Sequence, residues 1–153
     1  VREAPRMLEI RTDDDARPAT PDGPHDHEQT RAIAEAIGAA ARLLNYATSP
    51  EKRGLRYPSD VYTVLGSLAS AVALLPQALG QMTQFIGAEV DTGHARENPR
   101  YGDHGGDAAA AHAALRAAAQ QATGHAEALR AALDRCQAAT RGLESSRPDP
   151  EDA

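Results

Sequence analysis

The sequence predicts an all-α fold, a three-helix bundle built on a long antiparallel helical hairpin whose middle helix is kinked. Three observations carry that prediction. Three stretches repeat apolar residues at alternating spacings of three and four. Capping chemistry marks their ends, and the residues outside them are polar and proline-bearing. A chain of 153 residues suits a single domain. With 41% apolar but only 3% aromatic residues, one Phe and no Trp, its core must come from Ala, Leu, Val and Ile.

The first helix opens at Asp26-His27-Glu28-Gln29, an N-cap acid followed three residues later by Gln. Ile33, Ile37, Ala40, Leu44 and Ala47 then mark one helical face, and Thr48-Ser49-Pro50 ends it. In the middle segment no Asp, Glu, Lys or Arg occurs from Val61 to Ala88. Val61, Leu65, Leu68, Val72, Leu75, Leu79, Met82 and Ile86 form a 4-3-4-3 series there that passes through Pro76 without slipping. A loop would rarely keep that register, so the expectation is one helix from about Ser59 to Ala88. Its length is roughly 45 Å at 1.5 Å per residue. Pro76 removes a hydrogen bond to Val72 and predicts a kink.

The third helix is predicted to begin after Asp107 and run to Arg141-Gly142, where glycine suits the position after the last turn. Its stripe is Leu115, Ala119, Ala122, Ala126, Leu129, Leu133, Cys136, Thr140 and Leu143, at heptad spacing. Gly124 weakens it by about 1 kcal/mol relative to Ala. The ordered domain is expected over 26–143, between a disordered acidic, proline-rich tail at 1–25 and a second tail at 144–153. Within the first tail only Met7-Leu8-Glu9-Ile10 reads as an extended piece.

Composition narrows the function classes. A formal charge of −6 argues against a nucleic-acid partner, whose phosphates are gripped mainly by Lys and Arg. The single cysteine, Cys136, allows no intramolecular disulfide and reads as a small buried apolar residue. With no apolar leader at the N-terminus, the expected location is cytoplasmic.

The middle segment is long enough to span a bilayer. Against insertion, Thr63, Ser67, Ser70, Gln77, Gln81 and Gln84 share one side of it, and glutamines facing lipid are expensive. The apolar half is explained by cover from the first and third helices. The opposite half is unusual for a solvated face, which normally carries charge. Those six residues are therefore the candidate partner interface, for a second copy or another helical protein.

The turn E-K-R-G-L-R-Y-P-S-D offers a second candidate. Lys52, Arg53 and Arg56 with Tyr57 group a basic cluster near the start of the middle helix and are the candidate anion-binding set. The competing reading makes the tyrosines Tyr46, Tyr57 and Tyr62 an end plug and leaves the cations solvated. His94 and His104, with Asp91, Asp103 and Asp107, match no metal motif and read as solvated loop residues, and no cofactor is expected. His112 reads as an end-of-core residue. No G-x-S-x-G, glycine-rich phosphate loop or H-E-x-x-H occurs, so no catalytic residue is assigned and no enzyme is expected.

The segment Leu43 to Thr48, which contains L-N-Y-A-T, together with GLRYPSDVYTVLGSL (Gly54 to Leu68) and LLPQALGQM (Leu74 to Met82), resembles a pattern of small helical proteins of actinobacteria. That resemblance covers the middle third of the chain and implies no established activity. The expected function is a non-enzymatic helical interaction or assembly protein that self-associates. The alternatives are an accessory protein that binds an anion or nucleic-acid phosphate through the Lys52/Arg53/Arg56 turn, and a membrane-associated protein acting through the middle helix.

Overall fold

The computed structural model describes residues 21–23 and 25–146, so the tails expected at 1–25 and 144–153 lie largely outside the described residues. Three helices and no strand occur among the described residues. The chain divides into two compact units, 1–56 and 57–153.

The first unit holds α1, His27–Ala47. Asp26 caps it as its sequence requires, its Oδ1 accepting the Gln29 N–H at 2.7 Å. Thr48 closes the other end, its N–H and hydroxyl both donating to the Leu44 carbonyl at 2.9 Å. The turn that follows brings Gly54 against the Ala47 carbonyl so closely that a Cβ there would collide with it. Arg53 takes a left-handed conformation, φ 52°, to make that approach.

The second unit is a helical hairpin of α2, Pro58–Asp91, and α3, Ala108–Thr140. Pro58 occupies the first helical position, where its missing N–H costs nothing. Asp60 reaches back to accept the Tyr57 N–H at 2.8 Å. The helix runs unbroken through Pro76, as the preserved register requires. Asp107 caps α3, its Oδ1 accepting the Ala110 N–H at 3.0 Å. Gly142, at φ +80°, follows the last turn.

The two helices pack antiparallel. Near the open end the Gln137 side chain lies over Gly66 and donates to the Tyr62 carbonyl at 3.1 Å. Near the loop the His112 ring lies over Gly87, where an added Cβ would sit 2.7 Å from Cε1. Between these points Ala69 and Ala126 are the buried hydrophobic residues of the described chain, 5% and 8% exposed.

This places the line facing α3 on α2 at Tyr62, Gly66, Ala69, Pro76, Thr83, Gly87 and Val90, and the same four-and-three spacing passes through Ala73 and Gly80, which are exposed. It is not the Leu/Val series the sequence pointed to. Each member of that series lies one residue before a position on that spacing, which turns it about 100° around the helix. The correction has a physical cause: residues without long side chains let two helix axes come close, so the close line takes Gly and Ala and displaces Leu and Met sideways.

Candidate functional site

The register gives the hairpin two unlike faces. On α2, the residues one position after that line include Thr63, Ser67, Ser70, Gln77, Gln81 and Gln84, the candidate interface set, all six exposed, and with them Leu74, 67% exposed. Antiparallel packing puts the corresponding residues of α3 on the same side. Thr63, Ser67 and Ser70 share a groove with Arg130, Asp134 and Gln137. Gln84 shares another with His112, Arg116 and Gln120. Gln77 and Gln81 line neither groove.

Two hydroxyls on this face are engaged locally. Thr63 Oγ1 donates to the Ser59 carbonyl and Ser70 Oγ to the Gly66 carbonyl, both at 2.9 Å. Arg130 Nε and Asp134 Oδ2 stand 3.8 Å apart, so charge on this face is supplied by α3.

The opposite face is apolar. The α2 residues one position before the contact line include Leu75, Met82 and Ile86, all exposed, with Leu65, Leu68, Val72 and Leu79 half-buried. The α3 stripe divides between contact line and face. Ala119, Ala126, Leu133 and Thr140 turn inward, whereas Leu115, Leu129 and Leu143 stay exposed. Ile86 and Leu115 line one hollow of about 460 Å³ together with Val90, Ala111 and loop residues from Ala95 to Gly102, Arg96 and Glu97 among them, so both helices and the loop contribute to the same side. Met82, 57% exposed, is its most prominent large group, and Phe85, 63% exposed, borders it on the outer side of α2, two positions from the contact line. Cys136, expected to be buried, is exposed.

The cover of this face expected from the third helix is thus partial: Val61, Leu65, Leu68, Val72 and Leu79 are half-buried, and Leu75, Met82 and Ile86 stay exposed. Among the described residues α2 is the one helix long and apolar enough to cross a membrane by length and composition, and 6% of its most apolar window is buried.

The loop from Thr92 to Asp107 contains a feature no sequence pattern announced. The Glu97 carboxylate, 9% exposed, accepts the His104 N–H at 3.0 Å and the Gly106 N–H at 2.7 Å, and its Oε1 lies 3.1 Å from His104 Nδ1. Burial raises its pKa, but the two backbone donors and the His104 ring outweigh that, and the carboxyl lies below its ordinary value of 4.5. His104 is thus a half-buried partner of Glu97 and not a solvated loop residue. His94 remains exposed, 3.8 Å from Glu89. No group of three or more metal-ligating side chains forms among the described residues.

The basic turn is divided between units: Lys52, Arg53 and Arg56 fall in the first and Tyr57 in the second. All four side chains are exposed. Lys52 is held by its backbone, its N–H donating to the Ser49 carbonyl at 3.0 Å.

No protein family, curated protein or solved structure matches this chain. Its function is therefore argued from the two faces alone.

Proposed function

We propose that this is a non-enzymatic interaction protein whose working surface is the apolar face of the α2–α3 hairpin, made to pack against another helical layer. One observation carries the reading: the most buried residues of the hairpin are Ala69, Gly87 and Ala126, while Leu75, Met82, Ile86, Leu115 and Leu129 stay exposed. A helix pair with one apolar side needs a second layer to bury it, the general requirement of layered folds. Exposed apolar surface of this size, continuous along two helices, marks an interaction site in a water-soluble chain. The reading moves the interface from the Thr63-to-Gln84 stripe to the face behind it. The Thr63 and Ser70 hydroxyls are engaged locally, so they offer a partner less than the exposed Met82 does.

Thiol alkylation tests this directly. In a Cys136→Ser background, Met82→Cys marks the face. The expected result is fast alkylation at high dilution that slows when a partner binds. A chain that sediments as a monomer yet protects this thiol at every dilution would place Met82 inside the folded protomer and overturn the reading.

A further inference from the structure

We propose that the layer covering the apolar face is a second copy of this chain, paired face to face so that two hairpins form a four-helix arrangement. The inference rests on the functional reading above and names its partner. Charge is the first support. The chain carries a formal −6, so two copies repel wherever their charged surfaces meet. The apolar face is free of that penalty. On α2 no charged residue occurs from Val61 to Ala88, and on α3 the matching positions include Leu115, Ala122, Leu129 and Cys136. Of the five charged residues of α3, Arg116, Arg130 and Asp134 line the grooves of the other side, while Glu127 and Arg135 line neither, and Arg135 adjoins Cys136.

Area is the second support. Leu75, Met82, Phe85, Ile86, Leu115 and Leu129 are 36–63% exposed. Side chains of this size at such exposure offer on the order of 100 Å² each. Six of them with their half-buried neighbours reach roughly 800 Å², the share of one partner in a standard stable interface. A two-fold pairing uses the same face on both copies, so one patch serves as both halves of the contact. Antiparallel hairpins stacked in this way are the layout of four-helix bundles.

Sedimentation equilibrium of the full chain, from the micromolar to the millimolar range, tests the pairing. Three proteins are compared: the natural chain, the Met82→Glu/Phe85→Glu variant, and a polar-face control with Gln77, Gln81 and Gln84 changed to Glu. The natural chain is expected to reach twice its 16.1 kDa mass. The apolar-face variant should weaken association at least a hundredfold, and the control should leave it within a few-fold. A Met82→Gln/Phe85→Gln variant, screened for helix content by circular dichroism, keeps the test decisive if the Glu pair unfolds.

A natural chain that stays monomeric throughout overturns the pairing. So does a dimer dispersed by the glutamine substitutions and not by the apolar ones, or a monomer that floats with neutral phosphatidylcholine vesicles. If the chain is monomeric while the thiol at position 82 alkylates freely, only the second copy is excluded, and the face remains a docking surface for a different helical protein.

Discussion

Ala69→Leu separates the contact line seen in the structure from the one the Leu/Val series implies. Ala69 is 5% exposed and lies between Gly66 and Ala73 on the closed side of α2. Three extra carbon atoms there have no space, and overpacking of this kind costs about 1–3 kcal/mol. Pushing the helices apart also stretches the Gln137 bond to the Tyr62 carbonyl, 3.1 Å long, which adds about 1 kcal/mol. The expected loss is roughly 2–4 kcal/mol. For a unit of about 90 residues that lowers Tm by about 10–20 °C.

Leu74→Ala is the matched control. Leu74 is 67% exposed, so its truncation should stay within about 0.5 kcal/mol. Both variants are to be melted by far-ultraviolet circular dichroism at one low concentration, where association contributes least, with urea unfolding as a second measure. If Ala69→Leu melts with the natural chain, or Leu74→Ala falls as far, the small-residue contact line is wrong and the two-faced hairpin falls with it.

Three further outcomes follow from local geometry. Gly54→Ala drives a Cβ into the Ala47 backbone carbonyl, which has no flexible end to move aside. It should cost about 1–3 kcal/mol and speed hydrogen exchange at the Thr48 and Lys52 amides. Asp107→Ala removes the acceptor of the Ala110 N–H and should cost about 1 kcal/mol in urea unfolding, with Asp107→Asn recovering most of it. For Glu97 the folded pKa is lowered, so its contribution is fully present above the ordinary value of 4.5 and is lost as pH falls through the folded value. The difference in stability between the natural chain and Glu97→Gln should shrink below pH 4.5, and the His104 and Gly106 amide resonances should titrate in the same window.

Helix existence and ends were legible because their signals are local. Asp26 and Asp107 cap with the next turn's N–H groups, and that chemistry needs no knowledge of tertiary structure. Continuity through Pro76 was readable because a helix that keeps its 4-3 register has kept its path. The contact line was missed for a different reason. Hydropathy ranks Leu and Val above Gly and Ala, whereas helix pairing ranks by how near the backbones can come. Gly66, Ala69, Ala73, Gly80 and Gly87 follow one another at three, four, seven and seven residues, so the signal was present at lower contrast. Glu97 was beyond reach, since its partners His104 and Gly106 sit seven and nine residues away in a loop without periodicity. Cys136 was misplaced for the same reason as the Leu series: it lies on the stripe but one position off the contact line.

The uncharged run of α2 now has more than one cause. On the contact line a charged side chain is excluded by space, because Gln137 and His112 already fill the room above Gly66 and Gly87. On the apolar side the proposed second layer would exclude it by the cost of burying an ion, a penalty of several kcal/mol unless paired. On the polar side neither reason applies, for Thr63, Ser67 and Ser70 are exposed. There the neighbouring Arg130–Asp134 pair on α3 is internally neutral. An added Glu or Lys beside it would favour one member and oppose the other, so little stability is gained from charge at those positions. A helix pressed by space on one side and by burial on another, with nothing to gain from charge on the third, stays neutral along its length. Of the three constraints, only the one on the apolar side rests on the proposed second layer.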